Sequence, residues 1–206
     1  MSGNITKVIK KLLEVYKVKP WKGKPFRVLI GTLLSHKTKD EVTWPTNEKL
    51  FRIADTPEKI LKLSEKRIAR LIYPVGFYRQ KAKRIKQVCK ILLEKYDGRV
   101  PRTREELMQL PGVGGKTADI VLSYAYGKAV IAVDTHVATV SRRLGWTNNK
   151  DPEKIRADLH RKIKKKDRLI INHLLVTFGK DVCKSPRPRC YACPVEKLCP
   201  YKNKNI

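Results

Sequence analysis

Acidic side chains are scarce in this sequence of 206 residues. Nineteen Asp and Glu stand against 47 Lys and Arg, a formal net charge of +28 with a pI near 10.1. A compact body with that excess repels itself, so a polyanionic partner is the natural inference, nucleic acid before any other. A lysine-rich composition from a heat-loving source would ordinarily raise glutamate as well, and here it has not. Long apolar runs are also missing, which excludes a membrane-spanning helix. At the start, Lys7, Lys10 and Lys11 interrupt the apolar residues, so no signal-peptide core forms. The protein is expected inside the cell, cytoplasmic or nucleoid-associated, with no membrane partner. Cysteine is sparse too: five in an intracellular chain argue against a disulfide framework. No stretch alternates with the two-residue period of a strand, and no internal repeat, low-complexity tract or long linker is present.

What remains reads as helices with short connections, in one domain or two small ones sharing a cleft. An amphipathic helix from about Ile5 to Tyr16 precedes the connection Pro20-Trp21-Lys22-Gly23-Lys24. Pro25 then suits a helix start, with Phe26, Leu29, Ile30, Leu33 and Leu34 on a wide apolar face. After the polar break Ser35 to Asp40 the next helix contains Pro45, which is expected within its first turn or at a kink. Thr56-Pro57 and Ser64-Glu65 open short helices. Beyond the turn Pro74 to Tyr78 a long basic helix runs to Tyr96. Its face Ile85, Val88, Cys89, Leu92 makes Cys89 a buried core thiol rather than a reactive one. Thr103-Arg104-Glu105-Glu106 is a capping box. Further helices are expected near 115–126, 135–144, 152–164 and 168–178, with Gly127, Gly145 and Gly179 at three of the ends.

The stretch with most chemistry is Leu110-Pro111-Gly112-Val113-Gly114-Gly115-Lys116-Thr117-Ala118-Asp119. Gly112, Gly114 and Gly115 allow a sharp turn and a close approach to another surface. The helix that follows offers free backbone N–H groups to a phosphate. A hairpin of this kind can simply hold DNA backbone. Lys116 and Asp134, separated by one helix plus a turn, suggest more, because they can face each other across a pocket. At a helix start among other cations the protonated form of Lys116 is expected to be disfavoured, which suits Schiff-base chemistry on a sugar carbon. Asp134 also reads as the N-cap of the helix after it, and the two jobs are compatible.

Cys183, Cys190, Cys193 and Cys199 follow the pattern C-x6-C-x2-C-x5-C in a proline-rich loop. Four thiolates this close can surround one metal centre, and on chemistry alone zinc and iron–sulfur stand level. Lys184, Arg187 and Arg189 decorate the loop, placed to offset thiolate charge or to reach phosphates.

These motifs together resemble the endonuclease III family of base-excision DNA glycosylases with AP lyase activity. The hairpin with Lys116, the segment Val133-Asp134-Thr135-His136-Val137, the four-cysteine spacing and Gly76-Phe77-Tyr78 followed by Lys81-Ala82 carry the resemblance, from about Pro25 to Tyr201. It implies an all-α fold of two helical domains with a DNA-binding cleft between them. A six-helix domain over 20–128 would carry the helix-hairpin-helix, and residues 1–19 with 129–206 would form a helical iron–sulfur domain. It implies a [4Fe–4S] cluster on the four cysteines, damaged double-stranded DNA as partner and a monomeric enzyme. Lys116 would attack C1′ of a flipped-out oxidised pyrimidine nucleotide such as thymine glycol, expel the base and form an imine that undergoes β-elimination. Asp134 would stabilise positive charge on the sugar. Phe77 would be an apolar wedge, unless it is an ordinary core or turn aromatic. Gly112, Gly114 and Gly115 would line the phosphate grip.

One departure stands out. The family resembles itself in a Leu-Ser-x-Gln segment whose Gln fills the gap left by the flipped base, whereas here Leu34-Ser35 is followed by His36-Lys37. Lys37 can reach an orphaned base or a phosphate but offers donors only. His36 is either a DNA contact or a passive solvated residue. The rival readings are a T:G or U:G mismatch glycosylase of the same superfamily and a non-catalytic DNA-binding module.

Overall fold

The computed structural model describes Ser2 to Ile206, with side chains from Asn4 onward. Among the described residues every regular element is helical. The α-helices are α1 (Ser2–Tyr16), α2 (Pro25–Ser35), α3 (Asp40–Ile53), α4 (Pro57–Leu61), α5 (Glu65–Ile72), α6 (Tyr78–Tyr96), α7 (Arg104–Met108), α8 (Gly115–Tyr126), α9 (Thr135–Arg143), α10 (Pro152–Lys162) and α11 (Arg168–Asp181). Short 3-10 turns at Cys190–Ala192 and Glu196–Leu198 shape the cysteine loop. Among the described residues no helix is long and apolar enough to cross a membrane.

Hydroxyl and carboxylate caps set many of the helix starts. Thr56, Ser64, Thr103, Asp134 and Asp151 each accept a backbone N–H three residues on, satisfying a donor the helix itself leaves free. The Thr103 hydroxyl also donates to Glu106 Oε2 at 2.5 Å, a side-chain link between the cap and the first turn. Pro45 sits inside α3, in its second turn, on an exposed face where water can take the carbonyl it leaves unbonded.

The chain divides into two compact units, Met1–Trp21 with Gly127–Ile206, and Lys22–Tyr126. The second unit packs α2 against α3 and α8, and α6 against α4 and α5. Leu29, Ile30, Leu34, Leu50, Ile68 and Ile85 are fully buried in it. Each such side chain contributes about 1.5–3 kcal/mol by leaving water. In the first unit α11 lies against α1 and α9, with Leu12, Val137, Val140, Leu174 and Phe178 at the centre of the core. Tyr16 edges toward Phe178 at 6.1 Å, and its hydroxyl donates to Asp181 at 2.9 Å.

Gly127 and Gly145 follow α8 and α9 with positive φ, as helix-ending glycines do. Gly179 corrects the expectation. It is buried inside α11, not at its end, and a Cβ there would lie 3.0 Å from His136 Nδ1. Its small size lets α9 and α11 approach closely.

Candidate nucleic-acid interface and active site

In the unit Lys22–Tyr126 the hairpin lies between α7 and α8. Val113 N–H donates to Leu110 C=O at 3.0 Å to close the turn, and Ala118 N–H donates to Gly114 C=O at 2.9 Å as α8 begins. Gly112 has φ +78, and a Cβ on it would run into Arg84, whose Nε would lie 2.7 Å away. The left-handed backbone favours glycine here, and any side chain would also have to displace Arg84. Nothing approaches within 4 Å of a Cβ built on Gly114, so that face of the turn is open to an outside partner. Gly115 is the first residue of α8, and Lys116 is exposed beside it. The buried carboxylate of Asp119 lies 3.4 Å from Arg104 Nε, tying α8 to α7 beneath the turn.

Three further residues named from the sequence gather in this unit. The half-buried imidazole of His36 is 3.1 Å from the hydroxyl of Thr117, Lys116's neighbour. Burial, and then the cations Lys116, Lys81 and Arg84, hold this imidazole below its ordinary range, so it is neutral at pH 7. His36 is therefore tethered rather than passively solvated. Lys37 follows in the left-handed region, with φ +50, and its ammonium lies 5.5 Å over the ring of Phe77. Phe77 is itself left-handed, with φ +57, and 58% exposed. It is not a core aromatic, and it lies in the turn that opens α6. Two non-glycine residues in a conformation costing about 1–2 kcal/mol each mark these adjoining turns as held in place by their surroundings.

In the unit containing Gly127–Ile206, Asp134 caps α9, its Oδ1 accepting Val137 N–H at 2.8 Å. The extended segment before it is pinned on both sides. Ile131 N–H donates to His160 Nε2, and Asn172 Nδ2 donates to Ala132 C=O, each at 2.9 Å. The carboxylate is half-buried on a fixed backbone.

Cys183, Cys190, Cys193 and Cys199 all line one pocket, together with Arg143, Leu144, Phe178 and Tyr201 among others. Burial pushes the thiols of Cys183, Cys193 and Cys199 up, Cys193 to about 11, with the other cysteines of the loop adding to the effect. Among the described residues no three His, Cys, Asp or Glu side chains close tightly around a point the size of a single ion. Arg143 was not singled out from the sequence. Its guanidinium donates to Cys183 C=O at 3.0 Å, Lys184 C=O at 2.8 Å and Pro186 C=O at 3.2 Å, and it lies 3.5 Å from Cys183 Sγ. Arg189 N–H donates to Val182 C=O at 2.8 Å and closes the loop, leaving the side chains of Arg187 and Arg189 exposed and that of Lys184 half-buried. Cys89 is fully buried in the other unit, its thiol pushed up to about 12 by that burial.

Residues 30–165 match the model of the HhH-GPD superfamily base excision DNA repair proteins. The chain is 44% identical to endonuclease III of Thermotoga maritima, over 86% of its own length and 83% of that protein's. Its fold matches the structure of a trapped endonuclease III–DNA covalent intermediate with a TM-score of 0.89 and 34% identity, covering 97% of this chain and 96% of the other. A thermostable thymine-DNA glycosylase matches with a TM-score of 0.87 at 25% identity, over 97% and 95% of the two chains. Taken with the hairpin geometry and the cysteine-lined cavity, these likenesses establish that the chain belongs to the endonuclease III family within the HhH-GPD superfamily of base excision DNA repair proteins.

Proposed function

We propose that this protein is a bifunctional DNA glycosylase and AP lyase that removes oxidised pyrimidines of the thymine glycol type from duplex DNA. The observation that carries the reading is the exposed amine of Lys116 at the start of α8, directly after a hairpin whose Gly114 face is open. The hairpin N–H groups take a backbone phosphate of the damaged strand. That contact fixes the sugar while the nucleotide leaves the stack, with Phe77 and Lys37 filling the space it vacates. The Lys116 amine then forms a bond to C1′, and the C1′–N bond breaks with its electron pair leaving on the base. Loss of the amine proton and opening of the sugar give the imine. Removal of a C2′ proton then expels the 3′ phosphate and nicks the strand. The carboxylate of Asp134 offsets the positive charge that develops on the sugar, and its N-cap bond holds it in one orientation for this.

The four cysteines suit a [4Fe–4S] cluster. All are thiols lining a single pocket, and Arg143 supplies a cation beside it to offset thiolate charge. Bound there, the cluster would cross-link the loop and thereby place Lys184, Arg187 and Arg189 against the phosphate backbone. A visible absorbance accompanied by four irons per chain would support this, and a colourless zinc protein would refute it.

The thymine-DNA glycosylase likeness favours a mismatch glycosylase as the second reading. A panel of thymine glycol, T:G, U:G and abasic duplexes separates the two. The proposed enzyme nicks the thymine glycol and abasic duplexes without added metal, and Lys116→Gln abolishes both activities. Base release from T:G with no strand nicking would establish the mismatch reading instead. Binding without either reaction would leave a DNA-binding module.

A further inference from the structure

Lys81 stands apart from the other cations of α6. Lys83 and Lys90 are exposed, as a basic helix face requires, whereas Lys81 is only 4% exposed. Its ammonium has three N–H bonds, and the structure gives it three acceptors: Leu34 C=O at 2.7 Å, His36 C=O at 2.6 Å and Thr38 Oγ1 at 3.1 Å. All three are neutral oxygens at or just past the C-terminal end of α2. That helix has no basic residue in its own last turn. Lys81 thus supplies, from a different helix, the positive charge that a helix C-terminus favours.

The Thr38 hydroxyl extends the network. It donates to His36 C=O at 3.2 Å and accepts Gly76 N–H at 3.2 Å. Gly76 is pressed against the same turn, since a Cβ on it would lie 2.8 Å from Lys37 C=O. One buried ammonium therefore gathers the end of α2, the turn that carries His36 and Lys37, and the turn that carries Phe77. The His36 imidazole continues the chain to Thr117 at 3.1 Å, next to Lys116. Burying a charged amine on neutral acceptors is costly, and a methionine would fill the same space without that cost. Burial, with the nearby Arg84 guanidinium, lowers the Lys81 pKa to about 8, which leaves it charged at pH 7. The groups facing it are Arg84, the neutral His36 and the three oxygens.

We propose that Lys81 is a positioning residue for lesion extrusion: its ammonium fixes Lys37 and Phe77 side by side in their left-handed turns and sets both against the start of α8. The inference rests on the glycosylase and lyase reading above, and it assigns Lys81 no contact with DNA. It separates two steps. Holding a flipped-out nucleotide in a duplex needs the two turns locked together. Imine formation at an abasic site in single-stranded DNA needs Lys116 but has no opposing strand to wedge apart.

The test is borohydride trapping by the intact 206-residue chain on two oligonucleotides, a thymine glycol duplex and a single strand with one abasic site. Lys81→Met should slow trapping on the duplex at least tenfold and leave the single-strand rate within twofold of the unchanged protein. Thr38→Val keeps the lysine and removes the hydroxyl that joins the turns. It should show the same split at smaller size, and it decides the matter if Lys81→Met does not fold. Equal losses on both substrates would assign Lys81 to general stability and overturn the proposal, as would no loss on either. Failure of the unchanged protein to trap either substrate would refute the Lys116 reading instead.

Discussion

Replacing Arg143 by methionine keeps most of the side-chain volume and deletes the group that organises the cysteine loop. The guanidinium holds the carbonyls of Cys183, Lys184 and Pro186 and lies over the Tyr201 ring at 5.1 Å. A hydrogen bond to a charged group contributes about 1.5–3 kcal/mol, and the three here are partly open to water, so a combined loss of about 3 kcal/mol is expected. At 1.4 kcal/mol per tenfold, the loop should open about a hundred times more often. With the proposed [4Fe–4S] cluster bound, the assay is bleaching of its visible absorbance by an iron chelator at neutral pH, followed alongside iron content per chain. Arg143→Met should bleach about two orders of magnitude faster than the unchanged protein. Arg143→Lys, whose point charge cannot serve three carbonyls at once, should fall between them. Bleaching of Arg143→Met at the unchanged rate would show that the cluster holds the loop without the guanidinium, and would refute the reasoning.

Two further outcomes follow from the geometry of single side chains. Asp134→Asn keeps an N-cap oxygen and loses the charge, so thermal stability should stay close to that of the unchanged protein while turnover on abasic duplex falls by at least a hundredfold; Asp134→Ala should lose about 1 kcal/mol of stability as well, read from urea melts. The His36 imidazole has its pKa lowered in the folded protein, so the unfolded chain takes up the proton first as pH falls. Its contribution to stability is therefore lost as pH drops below the ordinary value near 6.5, and His36→Asn should flatten the fall of the urea midpoint between pH 7 and 5 relative to the unchanged protein.

The helix starts were legible because their signals are local. A hydroxyl or carboxylate three residues ahead of a free N–H is a property of four consecutive residues, and Thr56, Ser64, Thr103 and Asp134 all act as their sequence context suggests. The hairpin was legible for the same reason. Gly179 was misplaced at a helix end because a glycine that permits close helix packing looks the same in sequence as one that ends a helix. The buried roles of Lys81 and Arg143 were illegible for a stronger reason. Each sits among many cations, and what distinguishes it is a set of carbonyl oxygens from distant segments, which no residue type announces. The His36 tether to Thr117 spans 81 positions and had no sequence signal either.

The central claim is that one particular amine forms the covalent bond to the damaged nucleotide. Reducing the enzyme–DNA adduct with borohydride, digesting it with protease and nuclease, and sequencing the modified peptide by mass spectrometry tests this directly. A single sugar adduct on the side chain of Lys116 is expected. An adduct on Lys37 or any other amine, with Lys116 unmodified, would contradict it.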